Sequence, residues 1–402
     1  MQQQILMARQ AIYDRQIKIV AYELLFRQVG DTTANVIDGD AASSELLVNA
    51  FTQWDISEIV GDTRAFVNFT KNLINKEIPF DKKHLVIEVL EDVPIDDSLV
   101  AELKCLSESG YTIALDDFVH SPKADEILPY ADIVKIDVLE LSPAEVEAHV
   151  KILAPYRAKL LAEKVETHDD FERCKALGFD YFQGFFLCKP EIISSTKIPA
   201  NKLAVLQLMY KLQNPDIEMK ELETIVNSDP MLGFKVLKLV NSASYARVSK
   251  IESIQQAINM LGQDKLRSLA TMMSLSGLSD KPSALREFCC IRARLCELVG
   301  QKISAQDATS YFSVGLISML EAYFDKPIAD ILAMLRLHES IESAITTGAG
   351  NYGKVLTIIR NYQEGRFDDI DWAFLAKHQI SPDCLTEMNN QSISWYQSLS
   401  EI

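Results

Sequence analysis

Short apolar strings recur along the first half of the chain at intervals of roughly 20–45 residues. They are Ile5-Leu6-Met7-Ala8, Ile17 to Phe26, Ala65 to Phe69, His84 to Leu90, Tyr111 to Phe118, Ile133 to Val138, Lys159 to Val165 and Tyr181 to Phe186. Stretches with helical period lie between most of them, as in Ala42 to Trp54 and Asp97 to Ser109. Gly110 follows the second of these, where a helix stop belongs. Strand and helix alternating this often predict a mostly parallel sheet with helices outside, and about eight strands predict closure into a barrel. In such barrels the chemistry gathers where the strands end.

The pattern changes near the middle. Lys189-Pro190 to Pro199-Ala200 is rich in Ser, Pro and Thr and has no strong period. Two domains are expected, 1–196 and 197–402. From Asn201 onward the spacing is helical, with Leu203, Leu206 and Tyr210 on one face and Leu222, Ile225 and Val226 on another. Pro230 to Val240 opens with Pro in a first turn and Asp229 at the cap; Ser253 caps Ile254 to Leu261, and Gly262 ends it. Strand signals are few, so the second domain is expected to be all-α.

Charge sharpens this division. The net charge is −17. Residues 1–199 hold 20 Lys+Arg and 34 Asp+Glu, a net of −14, against −3 for the remainder. An acidic surface argues against nucleic acid or an anionic membrane as partner. An anionic substrate would need a cation to approach the first domain. No apolar run reaches about 18 residues, so no membrane span is expected. The seven cysteines form no CxxC pair, and the start lacks a signal-peptide pattern; reduced core thiols in a cytoplasmic protein are expected.

Polar residues stand at the ends of the apolar strings. Glu23 lies late in the second and Asn68 in the third. Glu88 and Glu91 close the fourth, Asp116 and Asp117 the fifth, Lys135 and Asp137 the sixth, Glu163 and Glu166 the seventh, and Gln183 lies in the eighth. Taken alone, the adjacent pair Asp116-Asp117 fits a strand-end Asp followed by a helix cap better than half of a metal site. Acidic side chains recurring in strand after strand do not fit that. They point to a shared hard-cation site, since Mg²⁺, Mn²⁺ and Ca²⁺ take oxygen ligands, and no His belongs to the set.

Seven segments resemble, in order, the motifs of the EAL domain: Tyr22-Glu23-Leu24-Leu25-Phe26-Arg27, Val67-Asn68-Phe69, Ile87-Glu88-Val89-Leu90-Glu91, Leu115-Asp116-Asp117-Phe118, Val134-Lys135-Ile136-Asp137, Ala162-Glu163-Lys164-Val165-Glu166 and Phe182-Gln183-Gly184-Phe185-Phe186. The resemblance covers about residues 1–195. It implies an α/β TIM-like barrel that hydrolyses cyclic di-GMP to its linear dinucleotide. It also implies that Glu23, Asn68, Glu88 and Asp116 hold one Mg²⁺ or Mn²⁺ and that Asp117 and Glu163 help hold a second. Lys135 would steer or deprotonate the attacking water, Glu91 and Gln183 would support the loop and the water, and Arg27 would contact the substrate phosphate.

Three departures stand out. The signature Ala is Leu24, the Gly after the Ala-Glu pair is Lys164, and the glycine-rich loop after the second Asp is replaced by Phe118-Val119-His120-Ser121-Pro122-Lys123-Ala124-Asp125. Without its glycines, and stiffened by Pro122, that loop must take another path. His120 is either a replacement ligand or a solvated loop residue. The altered loop touches the family's usual dimer surface, so a homodimer stays an open expectation.

In the second half, Ser228-Asp229-Pro230-Met231-Leu232, Val240-Asn241-Ser242-Ala243 and Ile254 to Gly262 followed by Leu266-Arg267-Ser268-Leu269 resemble the HDOD domain, an all-α module implied to act through protein–protein contacts. The only histidines after residue 200 are His338 and His378, too few for a helical metal phosphohydrolase. Met272 and Met273 either line a partner groove or belong to the core. The combination is similar to the YuxH-like group of EAL–HDOD signalling proteins. The leading expectation is a cyclic di-GMP signalling regulator that responds to nucleotide or metal and acts through an HDOD-bound protein partner. The alternative is an active phosphodiesterase giving linear pGpG by two-metal hydrolysis.

Overall fold

The computed structural model describes residues 5–28, 59–74, 82–189, 200–212, 217–228, 230–241, 251–275, 278, 281–335 and 337–400. The expected helix over Ala42 to Trp54, most of the Lys189 to Ala200 join, the Asp229 cap and Ser242-Ala243 lie outside these residues. The chain divides into two compact units, residues 1–187 and 188–402.

The first unit is a closed barrel of eight strands in sequence order. They are β1 (Ile5–Asp14), β2 (Ile19–Gln28), β3 (Arg64–Phe69), β4 (Leu85–Val89), β5 (Thr112–Leu115), β6 (Ile133–Asp137), β7 (Lys159–Glu163) and β8 (Tyr181–Gln183). From β2 to β8 every neighbouring pair is parallel. β1 runs antiparallel to both β2 and β8, so the sheet is not uniformly parallel. The cause is local. Only residues 15–18 separate β1 from β2, and a parallel crossover needs a dozen or more. Asp14 folds that turn, its Oδ1 accepting from the backbone N–H of Gln16 at 2.8 Å and Lys18 at 2.9 Å. β1 is also longer than the expected Ile5 to Ala8, because it continues to Asp14.

Inside the barrel, Ile12, Ala21, Phe66, Val86, Ala114, Ile133 and Leu161 form one buried cluster, with Tyr181 packed on it. One member comes from each strand, and each such burial stabilises by roughly 1.5–3 kcal/mol for the larger side chains. Strand side chains alternate between faces, so the residue two positions away points to the same interior. Two positions from each member of this layer, toward one end, stand Gln10, Glu23, Asn68, Glu88, Asp116, Lys135, Glu163 and Gln183. An apolar floor thus carries a polar layer above it, with one residue from each strand.

The outer helices follow their local signals. Asp96 caps the Asp97–Glu108 helix by accepting from Leu99 N at 3.0 Å, Leu99 and Leu103 bury its inner face, and Gly110 beyond it takes φ 85°. Gly184 closes β8 against the segment after β7. A Cβ there would stand 2.1 Å from the Val165 carbonyl oxygen, and its φ is 146°. Gly184→Ala is therefore expected to destabilise the barrel by about 3 kcal/mol, read as a lower urea midpoint with an unchanged slope.

The second unit is helical among its described residues. Ser253 caps Ile254–Leu261 by accepting from Gln256 N, and Gly262 follows at φ 83°. Leu222, Ile225 and Val226 are buried together as their spacing predicts. In the Ala200–Leu212 helix the buried line runs through Lys202, Leu206 and Met209 instead of Tyr210, which is 37% exposed. Met272 and Met273 are core residues. Cys174, Cys289, Cys290 and Cys296 are buried, whereas Cys105 is exposed. No helix among the described residues is long and apolar enough to cross a membrane.

Candidate metal centre

The polar layer converges on Lys135. Its Nζ donates to Asp116 Oδ1 at 2.7 Å and to Glu88, lies 2.8 Å from Glu163 Oε1, and sits 3.7 Å from Glu23 Oε1. Lys135 is 1% exposed. Four carboxylates from four strands thus surround one buried ammonium. Gln183 Nε2 donates to Glu23 and to Gln10 Oε1, the latter at 3.0 Å, and so fixes the orientation of Glu23.

The end of β5 explains how two adjacent aspartates reach one site. Asp116 N donates to Val89 O at 2.9 Å, which keeps Asp116 in register with the barrel. Asp117 then takes φ 37°, a left-handed conformation that Asp tolerates better than most residues. Phe118 N donates to Lys135 O at 3.1 Å, and its ring is buried. With the chain kinked this way, oxygen atoms of Asp116, Asp117 and Glu163 lie within 4.8 Å of one another.

The electrostatics show an excess of negative charge. Burial pushes Glu88 well above the usual carboxylate range; Lys135 opposes this, and Glu23, Asp116 and Glu163 add to it. Burial raises Glu163 to about 8, with Lys135 again opposing and Asp116 and Glu23 adding. Asp117 is raised by burial and then by Asp116. Burial would lower Lys135, but the surrounding carboxylates hold it well above an ordinary lysine. One lysine does not neutralise this set.

Five buried oxygens at the site have no hydrogen-bond partner among the described residues: Asn68 Oδ1, Glu88 Oε2, Asp117 Oδ1, Glu163 Oε2 and Gln183 Oε1. Buried acceptors left unpaired are costly. Four of them in the polar layer and one on the adjoining Asp117, four of the five coming from residues already singled out as ligands, fit a hard divalent cation with oxygen coordination.

The remaining candidates lie elsewhere. Glu91 is exposed on the turn after β4, close enough to Asp117 to raise it electrostatically. The Arg27 side chain lies outside the described residues. His120 is exposed and pairs with Asp125 at 3.1 Å, away from the polar layer. Lys164, standing at the family's glycine, adopts φ 54° and pairs with Asp137, whose Oδ1 also accepts from Leu139 N at 2.8 Å and Glu140 N at 3.0 Å. Gln10 was not a candidate from sequence. Its signal is its place two residues before Ile12 on an antiparallel strand, which the short expected β1 did not include.

Fold and site define the class, an EAL-type barrel followed in one chain by a helical unit. The model of the EAL domain matches residues 23–190, and that of the HDOD domain matches residues 198–322. YuxH of Bacillus subtilis is 33% identical over 376 residues, covering 90% of this chain and 92% of its own. Cyclic di-GMP phosphodiesterase CdgJ of Vibrio cholerae is 32% identical over 382 residues, covering 92% of this chain and 86% of its own. BlrP1 of Klebsiella pneumoniae, solved with manganese and cyclic di-GMP, is 21% identical, with a TM-score of 0.39 over 46% of this chain and 55% of its own. The chain belongs to the EAL–HDOD family.

Proposed function

We propose that this chain is a cyclic di-GMP signalling protein whose barrel hydrolyses cyclic di-GMP to linear pGpG with divalent cations. The observation that carries this reading is the complete polar layer, which together with the adjoining Asp117 holds five buried oxygens unpaired among the described residues, assembled despite the altered loop. The relationship to CdgJ over most of both chains supports it. Glu23, Asn68, Glu88 and Asp116 would hold one cation, and Asp117 and Glu163 a second. Bound there, Mg²⁺ or Mn²⁺ supplies charge neutralisation for the phosphodiester and a more acidic attacking water.

The chain's own residues do the rest. Lys135 meets its neighbours as a protonated donor, with its hydrogens directed at carboxylates, so it has no lone pair to take a proton and would act on the water only as a donor. Gln183 holds Glu23 in place. Arg27 would take a phosphate oxygen, and Glu91 would support the rim near Asp117. The HDOD unit would contact a protein partner, and a homodimer is one assembly in which the barrel could work.

A second reading keeps the barrel as a sensor that binds nucleotide without turnover. The observation favouring it is the loop after Asp117, with Val119 74% exposed and His120 tied to Asp125. An assay with Mn²⁺, then with EDTA, and then with Glu23→Ala separates the two. Hydrolysis to pGpG is expected with Mn²⁺, and the substitution is expected to lower it by about 10³-fold or more. Saturable binding of cyclic di-GMP without any pGpG would instead establish the sensor.

A further inference from the structure

A cavity of about 310 Å³ lies in the helical unit, between the Gln263–Leu275, Ala308–Ile317 and Glu339–Thr347 helices. Its lining includes Arg267, Ser268, Ser313, His338 and Tyr352. The Arg267 side chain is 14% exposed, and its Nε is buried with no hydrogen-bond partner among the described residues. Among the described residues the guanidinium meets one carboxylate, Asp264, with NH1 3.6 Å from its Oδ1, and Asp264 itself is 74% exposed. Burial pulls Arg267 below the usual arginine range, with Asp264 opposing.

Beside it, the hydroxyls of Ser268 and Ser313 face each other across two helices at 3.3 Å. Two hydroxyls sharing one hydrogen bond keep one proton available for an acceptor. His338 Nδ1 accepts from Ser340 N, so in the neutral ring Nε2 carries the hydrogen. The buried hydroxyls of Ser268 and Ser313, the partly buried Arg267 guanidinium and the exposed His338 ring thus present donors to this cavity. The two carboxylates of the lining, Asp264 and Asp307, are solvent-facing, and Asp307 already accepts from Ser304 Oγ at 2.8 Å.

A second cavity of about 380 Å³ shares Asp307, Ser340 and Tyr352 with the first and is also lined by Tyr311, Asn351 and His378. We propose that this double cavity binds a nucleoside monophosphate, its phosphate against Arg267, Ser268 and Ser313 and its nucleoside along Tyr352 toward Asn351. A planar fork with a vacant N–H suits phosphate oxygens, and each of the two adjoining spaces falls in the range of small-ligand sites. The acidic rim disfavours long polyanions. His338, Ser340 and Tyr352 lie beyond the HDOD match, which ends at residue 322, so the site is a feature of the whole helical unit. It is independent of the barrel reading.

The test is calorimetry on the full chain in EDTA, with inorganic phosphate, GMP, AMP and guanosine as probes and Glu23→Ala as a check that the barrel contributes nothing. At least one of GMP and AMP should bind saturably, inorganic phosphate should compete with it, and guanosine should bind about tenfold more weakly or less. Arg267→Gln should weaken the nucleotide about tenfold, and Ser313→Ala several-fold, which a purely structural role of either residue would not produce in a variant with unchanged melting. The proposal is overturned if neither nucleotide binds, if guanosine binds as well as GMP, or if Arg267→Gln binds like the parent. Should Arg267→Gln fail to fold, unchanged binding by Ser313→Ala overturns it in the same way.

Discussion

Lys135→Met is expected to lower the stability of the barrel by about 3–5 kcal/mol in EDTA, and adding Mn²⁺ is expected to return much of that loss. Lysine and methionine have similar length, so the substitution removes the ammonium while leaving most of the packing. Glu88, Asp116 and Glu163 then lose their shared donor, and Glu23 its nearest cation. Glu88 is wholly buried, so it cannot recover hydration without opening the barrel. A divalent cation among the same oxygens would restore the balance, which is why the metal should rescue stability. It should not rescue turnover. Without a donor to orient the attacking water, hydrolysis is expected to stay about 10²–10⁴-fold below the parent in saturating Mn²⁺. Urea unfolding with and without EDTA reads the first effect, and the rate of pGpG formation reads the second. A variant equally stable in EDTA and in Mn²⁺ would show that these carboxylates do not form a metal site.

Much of this site could be read from residue order because a barrel interior obeys a two-residue period. Ala21 and Glu23, Val86 and Glu88, Leu161 and Glu163 are such pairs, apolar floor first and polar layer next. The same period was hidden in β1. Its first apolar run ends at Ala8, and Arg9-Gln10 reads as the start of a loop, so Gln10 was passed over although it bonds Gln183. The antiparallel course of β1 was hidden as well, since it follows from the tight Asp14 turn and not from hydrophobicity. The left-handed kink at Asp117 could not be derived from composition, yet it brings both aspartates to one place. In the helical unit, helix caps such as Ser253 were legible because they act within one turn. From sequence Arg267 reads only as part of a motif, because most of its surroundings come from helices more than 40 residues further along.

Asp325→Ala is expected to destabilise the helical unit by about 3–5 kcal/mol, the second large effect. Asp325 follows the Leu320–Phe324 helix at φ 54° and is 8% exposed. Its two oxygens take two buried ammonium groups, Lys202 at 2.9 Å from the Ala200–Leu212 helix and Lys281 at 2.6 Å. Lys202 lies on the inner line of its helix, where an apolar residue would be expected, and this carboxylate pairs with its buried ammonium. Removing the carboxylate takes away the one partner that Lys202 and Lys281 share. Burial alone would raise the Asp325 pKa, but hydrogen bonds from Lys281 and Lys202 outweigh it and hold the carboxyl below its ordinary value. A depressed folded pKa gives a stabilisation that is present above the unfolded value, near 3.9, and is lost as pH falls through the folded one. The parent should therefore lose stability on acidification below about pH 4 with a contribution that Asp325→Asn lacks. Asn also tolerates the left-handed backbone, so this second variant separates the charge from the strain that Ala would add. Thermal melting of the three proteins from pH 3 to pH 7 decides it. Asp325→Asn matching the parent at neutral pH would remove the ion triad from the account of how this unit holds its first helix.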